Sequence, residues 1–141
     1  MTAPADPPPS DPAPPILVPV GAGELIDKLT ILAIKLERIA DPAKRENVRR
    51  EHTLLSETRA RAIGAVEGLD ALEAELKAVN EALWEIEDAI RERESEGDFG
   101  DRFVALARAV YRENDRRAAL KKAINCLTGS AIVEEKSYAG S

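Results

Sequence analysis

Residues 69–90 read LDALEAELKAVNEALWEIEDAI, and this stretch sets the fold class. Its large apolar residues are Leu69, Leu72, Leu76, Val79, Leu83, Ile86 and Ile90, at alternating steps of three and four. That period puts them on one stripe of an α-helix, whereas a strand would need alternation by two. A single apolar stripe must be covered. A chain that repeats the pattern in other segments therefore predicts helices packed on helices.

Working toward the N-terminus, Leu25, Leu29, Leu32, Leu36 and Ile39 give a second stripe at steps of four and three. Gly21-Ala22-Gly23 leads into it. Asp41-Pro42 closes this helix and opens the next, since Asp caps well and Pro fits a first helical turn. The second helix, about residues 42–63, has a thin stripe of Val48, Leu55 and Ala62 among many charges. Gly64 and Gly68 mark a break, and Asp70 with Glu73 resembles a capping box for the third helix. Toward the C-terminus, Gly97 and Gly100 flank a turn with Asp98 or Asp101 as cap. A fourth helix runs from about 101 to 127 and stops before Gly129.

Short connections favour antiparallel neighbours. The expectation is an all-α, antiparallel four-helix, coiled-coil-like bundle with short extended segments at both ends. Residues 1–15 hold seven of the nine prolines and predict a disordered arm. Residues 16–138 form the single domain, and 139–141 a tail. In an up-down-up-down order the extended stretches Ile16–Val20 and Ile132–Lys136 share one end of the bundle. There they would pair as two strands or pack as a lid.

Composition excludes several functions. The net charge of −6, with basic residues dispersed among acids, disfavours nucleic acid as a partner. No apolar run is long enough for a membrane span. The lone Cys126 fits a reducing, cytoplasmic compartment and reads as a small packing residue. The lone His52, expected in water, excludes a two-histidine metal site and a Ser-His-Asp triad.

What remains is a set of polar residues beside the apolar stripes. Asn80, Trp84, Glu87, Asp88 and Arg91 share one face of the third helix. On the fourth, the expected core line runs Phe103, Ala107, Val110, Asn114, Arg117 or Ala118, Lys121, Ile124 or Asn125, polar in its second half and flanked by Arg108, Tyr111 and Asp115. A turn near Gly97 sets Trp84 opposite Tyr111, Glu87 opposite Arg108 and Asn80 opposite Asp115. The first helix adds Glu24, Asp27, Lys28 and Lys35. Bundles place ligands in such inter-helix polar pockets.

The segments around Glu24–Ile31, Leu83–Arg91, Val110–Ala118 with Lys121 and Asn125, and Glu134-Glu135-Lys136-Ser137-Tyr138 resemble an uncharacterised bacterial helical domain family with no established activity. The resemblance covers about residues 16–138 and implies a stand-alone domain. In part the chain also resembles the all-α nucleotide pyrophosphohydrolases, through Glu24-x-x-Asp27 and Glu85-x-x-Asp88, although their ExxE helix is missing. Leu25-Ile26-Asp27-Lys28 is similar to the opening helix of helical chorismate mutases.

The expected function is accessory or ligand-binding, with Lys35, Arg91, Arg108 and Lys121 holding an anionic small molecule. Asn80, Asn114 and Asp115 would orient its polar atoms, and Trp84 or Tyr111 would stack. One alternative is a Mg²⁺-dependent hydrolase of a phosphorylated small molecule, with Glu87, Asp88 and Asp115 as ligands. Another is a structural dimerisation module, a homo-oligomer formed through its apolar heptad stripe.

Overall fold

The computed structural model describes residues 13–139; the first twelve residues, most of the proline-rich arm, and the last two lie outside it. Four helices follow one another: α1 (Ala22–Arg38), α2 (Pro42–Ala62), α3 (Leu69–Ser95) and α4 (Asp101–Thr128). They form an all-α bundle, and no strand occurs among the described residues.

The packing centres on α1. Its backbone approaches each of the other three helices, and α3 and α4 approach each other, while α2 approaches α1 alone. The asymmetry follows from the stripes. α1 buries Leu25, Ile26, Leu29, Leu32 and Ile34, whereas α2 buries no residue at all. With only Val48, Leu55 and Ala62 to offer, α2 cannot displace water from a full face, so it lies on the outside. The four-helix bundle expected from the heptads thus has a core built by three helices, with α2 packed on its outside. Arg45 fastens the α1–α2 turn by donating to the carbonyls of Leu36 and Ile39. Arg59 ties the far end of α2 to Glu73 of α3 at 2.6 Å.

Leu25, Ile26 and Leu29 of α1 meet Leu69 and Leu76 of α3 and Ile124 of α4 in one cluster. The core therefore sits where α1 begins and α4 ends. Residues 13–21 and 130–138, neither helical nor strand, lie at this same end. Among the described residues the two stretches do not pair as strands; the second is tied to α4 by the bond from Lys121 to Glu134.

The caps are partly as expected. Asp41 accepts from the Lys44 amide at 3.0 Å, with Pro42 in the first turn. The capping box at α3 does not form. The helix starts at buried Leu69 behind Gly68, whose φ of +87° excludes most other residues. Glu73, the box's second member, is drawn away to Arg59. At α4 the N-cap is Gly100 with no side-chain cap; Asp98 instead accepts from the Gly100 amide at 3.1 Å and shapes the turn before it. Cys126 is exposed, not packed, and His52 is half-buried beside Ser56.

Candidate functional site

The site begins with a close approach of two backbones. A Cβ on Gly23 would collide with the Lys121 carbonyl and come within 2.9 Å of its carbon. A Cβ on Gly21 would meet Asn125 Oδ1 at 2.8 Å and collide with the Ile132 carbonyl. The Gly-Ala-Gly run thus lets α1 dock against the end of α4 with nothing between. A helix start leaves amide donors unmatched. Here α4 and the residues after it supply the acceptors: Gly23 donates to Asn125 Oδ1 at 2.8 Å, and Ala22 to Ser130 Oγ at 3.3 Å. Asn125 is therefore engaged as a cap delivered from another helix.

One turn further along α1 lies Asp27, a carboxylate only 1% exposed. Isolated there, its charge would be costly. Arg117 of α4 reaches it with two nitrogens, Nε donating to Oδ1 at 2.9 Å and Nη2 to Oδ2. Asn80 of α3 donates to Asp27 Oδ1 at 2.9 Å and to Thr30 Oγ1 at 2.8 Å, and the Thr30 hydroxyl donates to the Asp27 carbonyl at 2.7 Å. Three helices are joined through one network. No buried side-chain nitrogen or oxygen among the described residues lacks a partner. The hydrogen bond to Asp27 raises the Arg117 pKa against the pull of burial.

Lys121 lies one turn beyond Arg117 on α4. Its side chain is 12% exposed and its ammonium is held between Glu24 of α1 at 2.7 Å and Glu134 of the C-terminal segment at 2.8 Å. Burial works to lower the Lys121 pKa, and the bonds to Glu134 and Glu24 outweigh it, leaving the value raised. The bond to Lys121 holds the Glu134 carboxyl below its ordinary value. Glu24, Arg117, Ala118, Lys121, Glu134 and Lys136 enclose a hollow of about 310 Å³. The neighbouring Glu135 stands 3.7 Å from Lys122. Ser137 and Tyr138 are exposed.

A second, more open hollow of about 290 Å³ runs along the α3–α4 seam. Asn80, Trp84 and Glu87 line it from α3, and Val110, Asn114 and Arg117 from α4. Arg117 belongs to both hollows.

The structure divides the expected pocket. Asn80, Trp84, Glu87 and Asn114 share the seam hollow, whereas Lys121, Asn125, Glu134 and Lys136 gather at the end of the bundle. The expected pairings across the hairpin do not form. Tyr111, 55% exposed, carries the Arg112 guanidinium over its ring at 5.9 Å and does not face Trp84. Glu87 pairs with Arg91 at 3.0 Å, one turn away on its own helix, and not with Arg108. Asp115 and Arg108 are exposed. Val110 and Asn114, not their neighbours Tyr111 and Asp115, face the seam from α4, since one residue along a helix turns a side chain by about 100°. Lys35, half-buried, lines neither hollow.

The oxygen ligands proposed for Mg²⁺ do not converge. Asp88 and Asp115 are exposed, Glu87 is taken by Arg91, and among the described residues no three His, Cys, Asp or Glu side chains could hold an ion together. Three of the four carboxylates of the two ExxD pairs are also committed: Glu24 to Lys121, Asp27 to Arg117, and Glu85 to Arg38 at 3.2 Å.

The central pair, Asp27 and Arg117, was not singled out by sequence reasoning as a site. One signal was present. Asp27, Thr30, Ile31 and Ile34 lie on one face of α1, so an acid stands on a stripe that is otherwise buried or half-buried.

No described helix is long and apolar enough to cross a membrane. No curated protein and no solved structure matches the chain. A family model matches residues 16–141, beginning where the proline-rich stretch ends, and by that match the chain belongs to a family of unknown function (DUF6165).

Proposed function

We propose that this domain binds an anionic small molecule, without a metal, in the hollow between α1, α4 and the C-terminal segment. The carrying observation is Lys121, a mostly covered ammonium that takes one of its two carboxylate partners from a non-helical segment. Glu134 is that partner, and its side chain is 53% exposed. A pair with so exposed a member contributes at most about 1 kcal/mol. A phosphate or carboxylate entering the hollow exchanges with Glu134 at little cost. It then meets Lys121, the outer edge of Arg117 and Lys136 on the same segment. Charge-assisted bonds of this kind are the stronger ones. Asp27 holds Arg117 in place from behind, so the guanidinium is already positioned when the anion arrives.

The lone cysteine supports a cytoplasmic setting for such a binder. The Asn80–Trp84–Asn114 seam, reached through Arg117, extends the surface available to a larger ligand.

Calorimetric titration with inorganic pyrophosphate in the presence of a chelator tests the reading. The intact chain should bind. Glu134→Gln, which removes the competing charge, should bind up to about fivefold tighter. Lys121→Gln should lose binding. Absence of binding to both the intact chain and Glu134→Gln overturns the proposal, as does an affinity that Glu134→Gln leaves unchanged.

A further inference from the structure

Besides the residues that face α3, the fourth helix holds the line Val104, Ala107, Tyr111, Asn114, Ala118 and Lys121, at alternating steps of three and four. One end of this line is docked, since Gly23 of α1 presses on the Lys121 backbone. The other end is bare. α1 has 17 residues and α4 has 28, so α4 outruns it by about 16 Å. The seam residues of α1, Ile31 and Ile34, stand at the level of Val110 and Asn114, and Arg38 then ends the helix turned toward Glu85 of α3. Past that level Val104 is 43% exposed, and Tyr111 is 55% exposed even with Arg112 over its ring.

Beside this line runs a row of charges. Asp101, Arg108, Asp115 and Lys122 stand seven residues apart, on one side of the helix, and their signs alternate. All four are exposed. The first three have no ion-pair partner among the described residues. Lys122 stands 3.7 Å from Glu135 in a pair whose members are both exposed, a contact that holds it weakly. Within one chain the row is idle, yet reversed it is its own complement. When two α4 helices lie antiparallel and cross at Tyr111, each Arg108 meets Asp115 of the second copy and each Asp101 meets its Lys122. Laid parallel in register, every charge would meet its like.

We propose that two copies of this chain associate through α4, antiparallel about a two-fold axis at Tyr111, with Val104 of each copy against Ala118 of the other. Such an interface is isologous and closes at two. A partner of another sequence would need the same alternating row; a second copy supplies it by construction. From Asp101 to Lys122 the overlap is about 32 Å of helix. That length suits an interface of roughly 1,200 Å² in total, the lower end for specific association. The pairing does not rest on the anion-binding reading, because Arg108 and Asp115 line neither of the hollows that reading uses.

Sedimentation equilibrium of the full chain, without added anion and up to about 1 mM, tests the proposal. The intact chain should pass from monomer to dimer. Arg108→Glu and Asp115→Lys each set like charges together at two places, and each should weaken association at least about tenfold, with circular dichroism unchanged. Both substitutions in one chain restore a self-complementary row and should bring association back to near that of the intact chain. An equimolar mixture of the two single variants should also pair, since each row then matches the other. Tyr111→Ser should weaken every one of these pairings. A chain that stays monomeric throughout overturns the proposal. So does a dimer that the single variants leave unchanged, because it uses another face. Single variants that dissociate, with no recovery in the double variant or the mixture, overturn the antiparallel pairing. Species larger than two contradict closure and overturn it as well.

Discussion

Asp27 carries more of this structure than any other single polar residue. Its carboxylate is fully covered and accepts from Arg117 and Asn80, so α1, α3 and α4 are pinned to one another through one side chain. Removing half of a buried charge pair costs more than the pair itself contributes, because the survivor stays buried without compensation. Arg117→Met should therefore destabilise the domain by about 3–5 kcal/mol in urea denaturation. The double variant Asp27→Leu, Arg117→Met should recover most of that loss, since an apolar pair of similar volume needs no partner. If the double variant is as unstable as the sum of the two single ones, the network's role as a mutually compensating pair is wrong.

At the level of elements, the start of α1 depends on α4. Its amides find acceptors on Asn125 and Ser130, and its Gly23 presses on the Lys121 backbone. Gly23→Ala should cost about 1–3 kcal/mol, the usual range for overpacking, because the obstruction is backbone that cannot swing aside. The effect should be visible as a lowered urea midpoint with an unchanged slope. By contrast, Asp41→Ala removes a local cap and should cost about 1 kcal/mol. The C-terminal segment has its own pH dependence. Glu134 has a folded pKa depressed below the ordinary 4.5, so its contribution to docking is present above that value and is lost as pH falls through the depressed one. The backbone NMR shifts of residues 130–138 should therefore hold their docked values at neutral pH. Below pH 4.5 they should move toward those of an unfolded segment while the helices keep theirs. Equal loss in α3 would show that the segment is not a separate unit.

For the whole molecule, the unequal lengths of the helices matter. The last turn of α1 reaches α3 at Glu81 and Glu85 through Arg38. Past that level α3 and α4 continue as a two-helix hairpin to the edge-to-face pair Phe99 and Phe103, 5.3 Å between ring centres. The core and the candidate site lie at the opposite end. Phe99→Ser at the exposed tip should thus change stability by less than about 0.5 kcal/mol and leave pyrophosphate binding unaltered. Pyrophosphate at a hundredfold its Kd should stabilise the folded chain by about 2.7 kcal/mol, and calorimetric melting with and without it measures that shift.

Helix number, type and most boundaries were legible because they depend on neighbours in the chain. The alternating steps of Leu69–Ile90 hold wherever that helix is placed, and Asp41-Pro42 caps locally. The thin stripe of α2 was legible too, but its place outside the core appeared only on packing. The shared end of the two extended segments followed from connectivity, and Lys121 was reachable as a member of the polar line on α4. The meeting of Asp27 with Arg117 was not. One residue of register turns a side chain by about 100°, so the partner of each polar group depends on how closely two helices approach. That approach is fixed by Gly21 and Gly23 against the end of α4, a contact between segments about a hundred residues apart. Local periodicity decides which helices exist; the depth of one backbone contact decides which charges they bring together.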